Sequence, residues 1–126
     1  MKPMAWCTHP RHLPKPPKGR TVILDVAFAA GPQWKSKTKV FIDALGDRLV
    51  RYVDHHEHRD AWPQYRGDPR FLLVPNKLAH ACPELVTPEI VGAAGQVDDI
   101  VAHADFDGCL SAVKWLRGGR EPYPGA

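Results

Sequence analysis

The chain is poor in cysteine, has no long apolar run, and carries no acidic residue in its first twenty positions. Each shortage narrows what it can be. Cys7, Cys82 and Cys109 are too few and too scattered for a disulfide framework, so reduced thiols and a cytoplasmic setting are expected. No apolar stretch approaches the ~20 residues of a membrane span, and nothing resembles a signal peptide, so no membrane partner is expected. The stretch 1–20 instead holds Lys2, Arg11, Lys15, Lys18 and Arg20 among many prolines. The net charge of the whole chain is +3, so the remainder is slightly acidic. A basic arm on such a body could help hold a polyanion, or be a solvated leader.

What is present fits one small soluble domain. The chain has 126 residues, of which 44% are hydrophobic and 25% charged, enough to bury a core but cramped for two domains. The expected organisation is a basic proline-rich arm at 1–20, an α/β core at 21–118 and a tail at 119–126. Cys7, His9 and His12 could recruit a metal, but they sit among Pro3, Pro10, Pro14, Pro16 and Pro17 with no fourth partner nearby.

Thr21 to Phe28 is continuous and β-branched, as in a parallel strand covered on both faces. Ser36 to Leu45 reads as a helix capped by Ser36, with Val40, Phe41, Ala44 and Leu45 as its apolar face. Arg48 to Val53 is a second strand, residues 57–69 a loop, and Arg70 to Val74 a short third strand. Residues 76–96 hold one or two short helices broken at Pro83 and Pro88. Asp99 to Ala104 is a fourth strand, and Cys109 to Arg117 a helix with Leu110, Val113 and Leu116 in step. This order predicts an α/β fold with a mainly parallel sheet of about four strands and flanking helices.

In such a sheet, ligands collect at the carboxyl ends of the strands. Three segments put metal-ligating residue types there: Asp25, then Asp54-His55-His56, then His103-Ala104-Asp105-Phe106-Asp107-Gly108. Carboxylates with imidazoles suit Mn²⁺, Fe²⁺, Zn²⁺ or Mg²⁺, and the carboxylate-rich set favours Mn²⁺. Each segment alone has a plain reading, as a turn, a helix cap or a solvated loop end; their conjunction at strand ends points to a hydrolytic divalent-metal site. Trp34, Trp62 and Trp115 could stack on bases or simply pack. Lys35, Lys37 and Lys39 make a basic edge near Asp25.

These segments resemble the signatures of the DHH phosphoesterase superfamily: Thr21–Phe28 with Asp25, Val53-Asp54-His55-His56, and His103 to Ala112. The resemblance spans roughly residues 21–117. It implies a DHH-like α/β core that hydrolyses a phosphodiester or phosphomonoester of a nucleotide or short single-stranded nucleic acid, using two Mn²⁺ or Mg²⁺ ions. By that resemblance His103 and Asp105 hold one ion and Asp107 the other, while Asp25 touches both. His55 is a ligand, Asp54 a ligand or orienting group, and His56 a contact for substrate phosphate. A helix amino end after Gly108 could add backbone donors to phosphate.

Two departures from the family pattern bear on this. The His-x-Asp-x-Asp-Gly segment usually comes first and here comes last, which implies a circular permutation or a truncated frame without the family's second, substrate-gripping domain. The family's further metal-binding Asp resembles Asp99 in Gly95-Gln96-Val97-Asp98-Asp99-Ile100. However, Asp99 opens the strand that Asp105 closes, about 20 Å away if fully extended. Asp60 is another candidate. The departures motivate an alternative: a catalytically incomplete nucleotide-binding or interaction module that pairs with a missing C-terminal segment, a second copy or another chain. A nucleic-acid-binding protein led by its basic arm is a third reading.

Overall fold

The structure, a computed structural model, describes residues 4–121. Five parallel strands form one sheet in the order β1-β5-β2-β3-β4. They are β1 (Met4–Cys7), β2 (Thr21–Leu24), β3 (Leu49–Asp54), β4 (Phe71–Leu73) and β5 (Asp99–His103). The expected α/β class holds, and the sheet is parallel throughout.

Burial explains why β2 and β3 read as continuous apolar runs. All four residues of β2 are buried, and so are five of the six in β3, because helices and loops cover both faces of the sheet. On one face Ile23, Tyr52 and Val101 pack with Phe28, Trp34, Phe41 and Trp62. On the other, Val22, Leu24, Val53, Ile100 and Ala102 pack with Val86, Ala112 and Trp115. Trp34, Trp62 and Trp115 are thus core residues, which leaves none of the three open for stacking on a base.

The strand count corrects the expectation of about four. Met4–Cys7 lies in the stretch read as a proline-rich arm, yet it pairs with β5 in register, Met4 beside Ile100 and Cys7 beside His103. Four residues between prolines suffice because a parallel edge strand needs partners on one side only. The rest of the arm is tied down as well. Leu13 packs on the core, the Arg48 guanidinium donates to the Pro17 carbonyl, and the Gly19 and Arg20 amides donate to Asp99 and Asp98. Cys7 is buried, and its thiol donates to the His9 carbonyl, so it joins no metal cluster with His9 and His12. The tail beyond residue 121 lies outside the described residues.

The helices are α1 (Gln33–Ser36), α2 (Thr38–Leu45), α3 (Trp62–Tyr65), α4 (Pro88–Ala94) and α5 (Phe106–Leu116). Three differ from the sequence reading. The helix expected from Ser36 is split into α1 and α2, and the Ser36 hydroxyl donates back to the Gln33 carbonyl rather than capping a helix start. The expected loop at 57–69 contains α3, opened by Pro63 in its first turn, where proline is tolerated. Finally, α5 begins three residues early, because the Asp105 side chain accepts from the Gly108 amide and caps it.

Candidate metal centre

β2 stops at Leu24 because Asp25 turns into the left-handed region, with φ of 62°. It is the one described non-glycine residue with positive φ, and Asp is among the few types that tolerate it. The turn sends the Asp25 carboxylate into a buried position, while its amide donates to the Val53 carbonyl at 2.9 Å. β3 ends beside it in Asp54, also fully buried, followed by buried His55 and half-exposed His56. β5, on the other flank of β2, delivers His103 and then Asp105 at the start of α5. From β2 the chain builds outward to β3 and β4, then returns on the opposite flank as β5. The centre therefore sits at the point where the strand order reverses, the usual ligand position in an open α/β sheet.

Five residues converge in two sets. Asp25, His55 and His56 can each offer a ligand atom with all three atoms within 4.8 Å of one another, and so can Asp25, His103 and Asp105. Asp25 belongs to both. Asp/His groups that could hold a metal ion are therefore present, and one carboxylate joins them.

Hydrogen bonding shows what these groups lack. The Ala79 carbonyl can only accept, so His55 Nδ1 carries the proton and donates to it at 2.8 Å. In the neutral ring His55 Nε2 is a lone pair, and it faces Asp25 Oδ1 at 3.4 Å. Among the described residues, Asp25 Oδ1 has no hydrogen-bond partner, and neither has Asp54 Oδ2. Two acceptors facing each other in a buried site repel unless a cation or a proton lies between them. The donor set fits a divalent cation, with hard carboxylate oxygens and imidazole nitrogens oriented by second partners. The His56 Nδ1–H donates to Asp54 Oδ1 at 2.6 Å, and His103 Nδ1 lies 2.9 Å from Asp105 Oδ2.

The same burial shifts the protonation equilibria. Burial pushes Asp25 up to about 7, helped by the charges of Asp105, Asp54 and Asp107 and opposed by His56. Burial also raises Asp54, against its hydrogen bond from His56. His56 is raised, first by that hydrogen bond and despite its own burial.

The other expected site residues fall differently. Asp107 sits in the first turn of α5 and acts on Asp25 through its charge, but it is outside both three-residue sets. Asp99 is at the opposite, amino end of β5, where its carboxylate accepts from the Gly19 amide, so it is corrected from ligand to structural tie. Asp60 lies beside Arg59 on the exposed loop. Gly108 is also corrected. Its amide is occupied by Asp105, and a Cβ there would lie 1.9 Å from the His103 carbonyl oxygen. Glycine is needed so that α5 can cross closely over the end of β5; it offers no free donor to phosphate.

Three contributors escaped the sequence reading. The Ala79 carbonyl orients His55. The buried Cys82 thiol lies against the Val53 carbonyl under the centre and is raised well above its usual range, chiefly by burial. His58 accepts the Asp60 and Ala61 amides on Nδ1 and donates from Nε2 to the Gly31 carbonyl. It thereby ties the loop after β3 to the loop after β2. No local pattern marks these roles, because each depends on a loop returning from elsewhere.

Among the described residues, no helix is long and apolar enough to cross a membrane. No family model matches the chain, and neither a curated protein nor a solved structure matches it.

Proposed function

We propose that the chain is a divalent-metal-dependent phosphoesterase with a DHH-like core, acting on the phosphodiester or phosphomonoester of a nucleotide or short nucleic acid. The observation that carries this reading is Asp25: a buried carboxylate with an unpartnered oxygen, shared by two Asp/His sets on either side of it. Asp25 and His55 would hold one cation, and Asp25, His103 and Asp105 a second, with Asp107 adding negative charge from α5. A pair of Mn²⁺ or Mg²⁺ ions would supply an acidified water as nucleophile and neutralise charge on the phosphoryl oxygens.

The chain's own groups would do the rest. Asp25 aligns the two halves, because its backbone is fixed by the Val53 carbonyl and its strained turn. Ala79 holds His55 in the tautomer whose Nε2 faces the centre. The buried carboxylate Asp54 orients His56 and favours its protonated form, and a half-exposed imidazolium suits contact with a phosphate oxygen.

The test is hydrolysis of bis-p-nitrophenyl phosphate and a short oligonucleotide by purified protein with and without Mn²⁺. Metal-stimulated turnover that Asp25→Ala reduces at least ~1000-fold is expected, since that change strips both sets of a shared ligand. Turnover independent of both metal and Asp25 would overturn the reading. Metal and nucleotide binding without turnover would favour the incomplete module instead.

A further inference from the structure

The outer face of α5 is apolar. At 3.6 residues per turn, Phe106, Cys109, Leu110, Val113 and Leu116 fall within an arc of about 120°. The opposite arc carries the side facing the core, with Gly108, Ser111, Ala112, Lys114 and Trp115 buried. Phe106 is 72% exposed, Val113 38% and Leu116 41%, and Cys109 is exposed as well. A solvated helix normally turns a polar face outward. The patch extends onto the edge of the sheet. Met4 packs with the layer that α5 covers, and strand alternation puts Trp6, 44% exposed, on the same side.

The charges at the two ends of this stripe indicate its occupant. Asp107 stands at its amino end, and exposed Arg117 and Arg120, followed by Glu121, lie just past its carboxyl end with a net positive charge. The stripe itself contains no charge. Laid antiparallel on a second copy about a two-fold axis, apolar meets apolar and each acidic end meets a basic one. Parallel pairing would set like charges together. The helix dipoles also favour the antiparallel order, and a two-fold contact uses the same patch on both copies.

We propose that α5, with Trp6 beside it, is the face through which two copies of this chain associate as an antiparallel helix pair. This holds whatever the metal centre hydrolyses, because neither Val113 nor Leu116 belongs to that centre.

Sedimentation of the full chain over a concentration series tests it. The wild type should sediment as a dimer. Val113→Asp should raise the dimer dissociation constant by on the order of a hundredfold, because it places a charge from each copy in the buried patch. Its far-ultraviolet circular dichroism should stay that of the wild type. Leu116→Asp, nearer the helix end, should act likewise and covers the case in which Val113→Asp misfolds. Cys7 and Cys82 are buried, so a short bis-maleimide should join two wild-type chains through Cys109. That product should be lost in Cys109→Ser and in Val113→Asp. A wild type that stays monomeric overturns the proposal, including one whose stripe binds a hydrophobic dye or a different protein. So does a dimer that both aspartate variants leave intact.

Discussion

Asp25 stores a conflict that the metal-free protein must resolve by pH. The folded state keeps its proton up to about pH 7, whereas the unfolded chain releases it near the ordinary value of 3.8. Between those limits the folded state binds more protons, so stability falls as pH rises. Asp54, raised by burial, and His56, raised first by its bond to Asp54, act in the same direction. Thermal melts in EDTA should therefore show a midpoint that declines from pH 4 through pH 7 and levels off only above the raised pKa of His56. Asp25→Asn should flatten that decline and melt higher than wild type at pH 8, since Asn tolerates the left-handed turn and carries no charge. Added Mn²⁺ should reverse the order, stabilising the wild type by about 2.7 kcal/mol at a hundredfold excess over its dissociation constant. It should do little for Asp25→Asn. Because a cation competes with the proton on Asp25, its affinity should weaken as pH falls below 7.

The junction of β5 and α5 carries two loads that single substitutions separate. Gly108→Ala puts a methyl group 1.9 Å from the His103 carbonyl oxygen. Helix and strand must part, at a cost of about 3 kcal/mol or more, seen as a lower urea midpoint. Asp105→Asn keeps a side chain able to cap α5 and should change stability by no more than about 0.5 kcal/mol. It removes a charge from the second metal set, so calorimetric titration should show weakened Mn²⁺ binding. Asp105→Ala should lose both cap and ligand, costing about 1 kcal/mol of stability. The helix also shows where apolar periodicity misleads. Leu110, Val113 and Leu116 keep perfect step, yet the buried side is that of Ala112 and Trp115. Periodicity identifies an apolar stripe but cannot say whether the core or another molecule covers it.

At the scale of the whole molecule the amino-terminal stretch decides integrity rather than charge. Deleting residues 1–20 removes β1 and buried Cys7, and strips the Asp99 carboxylate of the Gly19 amide. The truncated chain should melt well below the full one or fail to fold, as read by circular dichroism. Lys15→Glu with Lys18→Glu, at sites where no described side-chain contact is lost, should stay within about 0.5 kcal/mol of wild type. Salt dependence of any polyanion binding is thus properly tested by charge reversal, because the deletion destroys the sheet edge.

The amino-acid order alone determined the α/β class, the strands with β-branched cores, and the residue types at their carboxyl ends. These are local properties, set by burial periodicity and by side-chain chemistry. It also placed Asp25, Asp54, His55, His103, Asp105 and Asp107 as candidate ligands and His56 as a phosphate contact, since strand ends in a parallel sheet share one edge. Only the tertiary structure decided that Asp25 stands between two sets, that Asp99 and Gly108 serve the scaffold, and that Ala79 and Cys82 line the centre from below. It alone showed that a four-residue segment among prolines completes the sheet. Such outcomes depend on which distant backbone groups meet and which side chains lose water, and neither is encoded within any one short stretch of chain.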